Sequence, residues 1–182
     1  MPNPFEAFWN TLKTMTDNDP KLPLHVGEVM AFWTYLTAIK EMLRYEEVGL
    51  NSTTDDEVHE MLNDAYKLCD SQSDRLETFL IKEGIPLPEL SSPKPNSSPK
   101  DIPPGVKITD NELANGVSIK IAVAIVECAT GQAQSTRSDV GMIWAEFQSE
   151  MLTFSATLKS LMRKRGWLKI PPYYYPSGEK KS

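Results

Sequence analysis

The fold is decided by residues 85–108, "IPLPELSSPKPNSSPKDIPPGVKI", a proline-rich segment that separates two helical regions. It holds half of the fourteen prolines of the chain, and such a composition favours an extended course over the surface. A helix of about 28 residues is about 42 Å long at 1.5 Å per residue, whereas this segment reaches about 80 Å when it is extended. It is therefore long enough to return along the whole length of a helical bundle.

Two amphipathic helices are predicted before this segment. The first runs from His25 to Gly49, which is expected to end it. Its apolar residues recur at spacings of three and four: Val29, Phe32, Trp33, Leu36, Ile39 and Leu43. The second helix is expected to begin after Thr54, which forms the pattern of a capping box with Glu57, and to end near Gly84.

Two further helices are predicted after the segment. The third is expected to be capped by Thr109 or Asp110, and its run "VSIKIAVAIVECA" at 117–129 is apolar nearly all round. Such a run is typical of a helix buried on two sides, with a strand as the weaker alternative. The fourth helix is expected to begin with Ser138 as its cap and to end at Gly166.

The connections between these helices predict the topology. The first pair and the second pair are each joined by only a few residues, so each pair should form an antiparallel hairpin. Two hairpins joined by one long crossover form the ferritin-like pattern. The predicted fold is an all-α, ferritin-like four-helix bundle at residues 23–168, with the crossover at 85–108. A short helical flap at 1–22 precedes it, and an extended tail at 169–182 follows it.

A ferritin-like bundle raises the question of a di-metal centre, which uses paired carboxylates and two Glu-x-x-His motifs. The chain has two histidines, but His25 precedes the first long helix and His59 lies in the first turns of the second, so the two motifs cannot both be completed. The weak candidates for a residual metal site are Asp56, His59, Glu127 and Glu150. The simpler interpretation is that Asp56 serves the helix dipole and that His59 is solvated. We therefore expect no metal and no cofactor, with a residual di-metal protein as the alternative.

Other catalytic patterns are missing from the sequence. It contains no glycine-rich phosphate loop, no Gly-x-Ser-x-Gly elbow and no His-Glu-x-x-His stretch. The aromatic residues Phe32, Trp33 and Tyr35 could line a cofactor cavity, but this pattern is more typical of a core. A small-molecule carrier remains a third hypothesis, which no particular residue supports. The prediction is a protein that is not an enzyme.

Composition narrows the partners and the compartment. A net charge of −6 argues against nucleic-acid binding. The sequence has neither the start of a signal peptide nor about 18 uninterrupted apolar residues, so no membrane association is expected. Cys69 and Cys128 lie in helical patterns, which favours buried, reduced thiols. Synthesis in the cytoplasm is the expectation.

Four stretches carry a family resemblance: "FWTYLTAIKEMLRY" at 32–45, "IKEGIPLPE" at 81–89, "RSDVGMIWAEF" at 137–147 and "RKRGWLKIPPYYYP" at 163–176. Over residues 22–176 the chain resembles ferritin-like proteins of endospore-forming bacteria, a group related to the coat F proteins and considered candidate spore coat proteins. The resemblance implies the same fold, a sporulation setting and a structural or interaction role in the spore coat. It implies no catalytic residues. Members of that family often carry two such units in tandem, whereas this chain has one.

Two surfaces are predicted to make contacts with other proteins. The first is the outer face of the third helix, with Ile119, Val123 and Val126, because one bundle buries only one stripe of each helix. This exposed apolar face predicts a homodimer. Other spore coat proteins are further expected partners. The second is the tail, where Tyr173, Tyr174 and Tyr175 lie between prolines. We expect one or two of these rings to pack on the bundle and at least one to remain accessible.

Overall fold

A computed structural model describes residues 21–174 of the protein. The regular structure in this range consists of four long helices and one short turn of 3₁₀ helix. The helices are α1 (Val26–Ser52), α2 (Asp56–Lys82), α3 (Asp110–Gln134) and α4 (Ser138–Lys164), and the 3₁₀ turn is Pro99–Asp101. The predicted all-α four-helix bundle is confirmed, and the strand alternative for 117–129 is wrong because this run lies inside α3.

The four helices pack as two antiparallel hairpins. In the first hairpin, the ring of Phe32 near the start of α1 meets the ring of Phe79 near the end of α2, with centroids 5.3 Å apart. In the second, Trp144 of α4 lies against the backbone of Gly131 near the end of α3. The hairpins then pack against each other, α1 on α3 and α2 on α4. This arrangement leaves the start of α3 at the far end of the bundle from the end of α2.

The crossover between α2 and α3 follows α1 along the bundle. The Glu47 carboxylate accepts a hydrogen bond from the backbone N–H of Lys94 at 2.7 Å. One turn further along α1, Asn51 accepts from the backbone N–H of Ser97 at 2.9 Å. Polar side chains of α1 therefore satisfy backbone groups of a segment that forms almost no regular structure of its own. The long crossover predicted from residues 85–108 is confirmed.

Gly49 does not end the first helix, contrary to the prediction, and α1 continues to Ser52. The glycine instead permits close helix packing. A Cβ atom placed on it would lie 2.9 Å from Cδ1 of Leu62 in α2 and 3.1 Å from Cδ2 of Leu113 in α3. Because glycine costs only about 1 kcal/mol in a helix interior, packing against two neighbouring helices outweighs its tendency to end a helix.

Two of the predicted helix caps differ from the structure. The cap of α2 is Asp55, not Thr54, and its carboxylate accepts from the backbone N–H groups of Glu57 and Val58. A carboxylate one residue later thus replaces the predicted hydroxyl. Ser138 is the first residue of α4 rather than its cap, and Arg137 in the cap position makes no side-chain capping bond. The predicted cap at Thr109 is confirmed, as it forms a capping box with Glu112.

The turn into α4 is held by a residue from the first hairpin. Oε1 of Glu28 accepts hydrogen bonds from the backbone N–H groups of Thr136 and Arg137 at 2.8 and 3.0 Å. Its other oxygen accepts from the backbone N–H of His25, the cap of α1. These backbone bonds act against the effect of burial and hold the pKa of Glu28 below its usual value. One buried carboxylate therefore joins the start of α1 to the α3–α4 turn.

Within the described residues, α3 is the one helix whose length and composition would allow it to cross a membrane. A helix in the core of a helical bundle can have the same length and apolar composition. The predicted helical flap at 1–22 lies outside the described residues, apart from Lys21 and Leu22. The ring of Tyr175 also lies outside them.

Candidate functional site

The middle of the bundle contains a chain of polar side chains. The Tyr35 hydroxyl donates to Oε1 of Gln72 at 2.8 Å. Nε2 of Gln72 donates to Oε2 of Glu150 at 2.8 Å. Arg75 donates to the same carboxylate oxygen at 2.6 Å, and the Cys128 thiol lies 3.5 Å from the Tyr35 hydroxyl. This series of polar side chains links all four helices and ends near the surface in the ion pair between Glu150 and Arg75.

This polar chain is neutral in its buried part. Burial raises the pKa of the Tyr35 hydroxyl far above its usual value and raises the pKa of the Cys128 thiol to about 11. Both groups therefore remain protonated near neutral pH. Gln72 has no charge, and its oxygen and nitrogen both have partners. The buried segment holds the helices in register and offers neither a thiolate nor a free base for catalysis.

Aromatic rings fill the interior around this chain. The rings of Phe32 and Trp144 stack with centroids 4.7 Å apart, and Tyr35 meets Trp144 edge to face at 5.1 Å. Phe32 and Tyr35 are thus core residues, whereas Trp33, which the sequence placed in the same stripe, is exposed. The contacts between these rings are those of an ordinary aromatic core.

The four weak metal candidates lie in two different parts of the bundle. Asp56 and His59 are exposed in the first turns of α2. Glu150 of α4 contacts Gln72 of α2. At 1.5 Å per residue, Gln72 lies about 20 Å from His59 along the axis of α2. Glu127 of α3 faces a groove between α1 and α3. No group of three or more His, Cys, Asp or Glu side chains is arranged for a metal ion within residues 21–174.

The outer face of α3 exposes three β-branched apolar side chains. Ile119, Val123 and Val126 keep 67%, 49% and 64% of their surface accessible. Their spacing of four and three places them on one side of the helix. The opposite side enters the core through residues such as Val117, Ile121 and Ala124. The face therefore forms an apolar stripe on a helix whose inner side is fully packed.

The described part of the tail is exposed. Tyr173 and Tyr174 keep 73% and 87% of their surface accessible. Before them, Gly166 takes a positive φ of 71°, and the backbone N–H of Trp167 bonds the carbonyl of Met162 at 2.8 Å. This glycine turn ends α4 and directs the chain away from it.

A buried acid that the sequence did not predict lies on the core-facing side of α1. Glu46 keeps only 2% of its surface accessible, and no donor within residues 21–174 contacts its Oε2. Burial raises its pKa to about 7, although the charge of Lys120 on α3 acts in the opposite direction. The Lys120 ammonium sits over the ring of Tyr45, 3.7 Å from the centroid. The signal in the sequence was the spacing, because Glu46 follows Leu43 by three residues on the apolar stripe.

The groove between α1 and α3 holds the remaining candidate, Glu127. The groove encloses about 200 Å³ and also touches Tyr35 and Trp144. Oε2 of Glu127 is buried with no hydrogen-bond donor among the described residues, and burial raises the pKa of this carboxyl. Glu127 and Glu150 therefore have different surroundings, since Glu150 has Arg75 as a counterion.

Within the described part of the chain, four long helices in two antiparallel hairpins, with a long crossover and a packed interior, define a four-helix bundle protein. This connection pattern is the one that ferritin-like bundles use. The chain belongs to a family of proteins of unknown function, DUF3231, whose pattern matches residues 13–179.

Two proteins from Bacillus species are similar to this chain over most of its length. The uncharacterised protein YvdQ of Bacillus subtilis (strain 168) is 29% identical over 160 residues, which is 88% of this chain and 94% of YvdQ. The crystal structure of a candidate spore coat protein of Bacillus halodurans C-125 has a TM-score of 0.82 and 28% identity, and the match covers 85% of this chain and 97% of that one.

A more distant structure shares the fold alone. It is a two-domain protein of Anabaena variabilis with DJ-1/ThiJ/PfpI-like and ferritin-like domains, at 18% identity and a TM-score of 0.66. The match covers 91% of this chain and 47% of that protein.

Proposed function

We propose that this chain is a non-enzymatic structural protein that pairs with a second copy of itself through the outer face of α3. The exposed stripe of Ile119, Val123 and Val126 is the observation that carries the proposal. Three branched apolar side chains on one helix gain free energy when they leave water, at about 25 cal/mol per Å² of apolar surface. A two-fold axis across α3 would cover the same residues on both copies, as an isologous interface requires.

The proposed setting is the spore coat. The likeness to the Bacillus halodurans protein supports this setting, since it extends over 97% of that chain. In this proposal the protein is made in the cytoplasm and then joins other coat proteins. The tyrosines of the tail, Tyr173, Tyr174 and Tyr175, would contribute contacts there, because tyrosine is enriched at protein interfaces.

The pairing is tested by sedimentation velocity at tens of micromolar protein. We expect a dimer for the unchanged chain and a monomer for Val123→Lys, which places a charge in the centre of the stripe. Ile81→Lys is the matched control, because Ile81 is an exposed apolar residue on α2, with 63% of its surface accessible against 49% for Val123. A monomeric unchanged chain, or equal dissociation by both variants, would remove the basis of the proposal.

A residual di-metal protein is the alternative function. It would need Asp56 and His59 to act with Glu127 and Glu150, and the length of α2 keeps the first pair about 20 Å from the surroundings of Glu150. A non-enzymatic role therefore agrees better with the positions of these residues.

A further inference from the structure

The groove between α1 and α3 has the properties of a small binding site. Its walls come from Ala31 and Thr34 of α1 and from Val126 and Thr130 of α3, and the indole of Trp144 lies at its base. Gly131 allows this arrangement, because a Cβ atom there would lie 2.3 Å from Cε2 of Trp144. The base of the groove is therefore an aromatic ring that packs directly on the α3 backbone.

Glu127, Thr34 and Thr130 offer hydrogen-bond acceptors to the groove, while the amide of Gln134, which also lines it, can both donate and accept. The Thr34 hydroxyl donates to the carbonyl of Met30 at 2.8 Å, and the Thr130 hydroxyl donates to the carbonyl of Val126 at 2.9 Å. Each hydroxyl has a single hydrogen, so only its lone pairs remain for a ligand. The Glu127 carboxylate adds two more acceptor atoms. A ligand that binds beside these groups must bring donors.

The charge of the groove is also unbalanced. No ion pair to Glu127 forms within residues 21–174, and its Oε2 is buried without a donor. The nearby carboxylate of Glu150 is already paired with Arg75 at 2.6 Å. A buried carboxylate without a partner is unfavourable, and a bound cation would relieve it.

We propose that this groove binds a primary ammonium ion with a short apolar body. The ammonium has three donors, which match the Glu127 carboxylate and the two threonine oxygens. Ala31, Val126 and Trp144 would receive the apolar part. At about 30 Å³ per water molecule, a groove of about 200 Å³ has room for about six non-hydrogen atoms, the size of n-pentylammonium.

Calorimetric titration with n-pentylammonium tests this site, with 1-pentanol and pentanoate as ligands of matched shape. The cation should bind, whereas the neutral and anionic compounds should bind at least about tenfold more weakly. Glu127→Gln should weaken cation binding by roughly ten- to a hundredfold. Glu89→Gln, the same change at an exposed position of the crossover, should leave it unaltered. Binding should also weaken as the pH falls and Glu127 takes up a proton.

Two further variants separate the shape of the groove from its charge and from self-association. Ala31→Leu narrows the groove without changing charge and should also reduce binding of the cation. Val126 belongs both to the groove and to the stripe of the proposed dimer, whereas Ile119 does not line the groove. An Ile119→Ser variant should therefore still bind n-pentylammonium when it sediments as a monomer, which distinguishes the two proposals. Equal binding of pentanol and pentylammonium, or unchanged binding by Glu127→Gln, would overturn the proposal.

Discussion

Glu46 provides the sharpest prediction from this structure, because a buried acid with a raised pKa makes stability depend on pH. Its folded-state pKa is about 7, against a usual value of 4.5. The folded state therefore holds the proton more tightly than the unfolded state does. For an acid with a raised pKa, stability is full below the unfolded pKa and decreases as the pH rises through the folded pKa. We predict that Glu46→Gln removes the part of this decrease that is due to Glu46 and leaves the part due to Glu127, whose pKa burial also raises.

The expected change in the free energy of unfolding follows from the size of the pKa shift of Glu46. A difference of about 2.5 pKa units (7 minus 4.5) corresponds to about 3 kcal/mol at 1.36 kcal/mol per unit. At pH 5 less than about 1 kcal/mol of this loss is present, and at pH 8 nearly all of it. The free energy of unfolding should thus decrease by about 2–3 kcal/mol between these values through Glu46 alone. Lys120 opposes the shift, while Glu47 adds to it.

The assay is urea unfolding at pH 5 and at pH 8 for the unchanged protein and for Glu46→Gln. Carboxyls with lowered pKa values, such as Glu28 and Asp139, lose their stabilising contribution only at more acid pH. The matched control is Glu60→Gln, an exposed acid on α2. The reasoning is refuted when Glu46→Gln keeps the full pH dependence of the unchanged protein, or when Glu60→Gln removes it equally.

Two other predictions concern packing and metal. Gly131→Ala should reduce the free energy of unfolding by about 1–3 kcal/mol, since the new methyl group would meet the Trp144 indole at 2.3 Å. Gly141→Ala, which would meet nothing closer than 3.8 Å, should be neutral or stabilising by up to about 1 kcal/mol in the same urea titration. Elemental analysis of protein purified without chelator should find far less than one iron or manganese per chain. Near-stoichiometric metal would instead favour the di-metal alternative with Asp56, His59, Glu127 and Glu150.

The fold could be predicted largely from local patterns, and the errors came from residues that respond to distant neighbours. Gly49 has the local properties of a helix end, but Leu62 and Leu113 require a small residue inside the helix. Ser138 has the properties of a cap, yet Glu28 from the other hairpin satisfies the backbone of the preceding turn. In both cases the deciding partner is far away in sequence, so a local pattern carries no information about it.

The candidate sites were predictable to different degrees. The outer face of α3 follows from a helix that is apolar all round, since one bundle cannot bury both sides. The surroundings of Glu127 do not follow from periodicity, because the groove depends on the threonines of two helices and on Trp144 from a third. Gln72 was also missed, although its position between Cys69 and Leu76 on the apolar stripe is a signal for a buried polar residue.

The sequence by itself determined the four long helices within residues 21–174, their pairing into two hairpins and the long crossover. These properties depend on the spacing of apolar residues and on the length and proline content of the connections, which act over a few residues at a time. Only the tertiary structure decided the protonation of Glu46, the polar chain from Tyr35 to Arg75 and the groove at Glu127. The physical reason is that burial and hydrogen-bond partners across a helix interface depend on how separate helices meet, and helix periodicity defines a face without defining what lies opposite it.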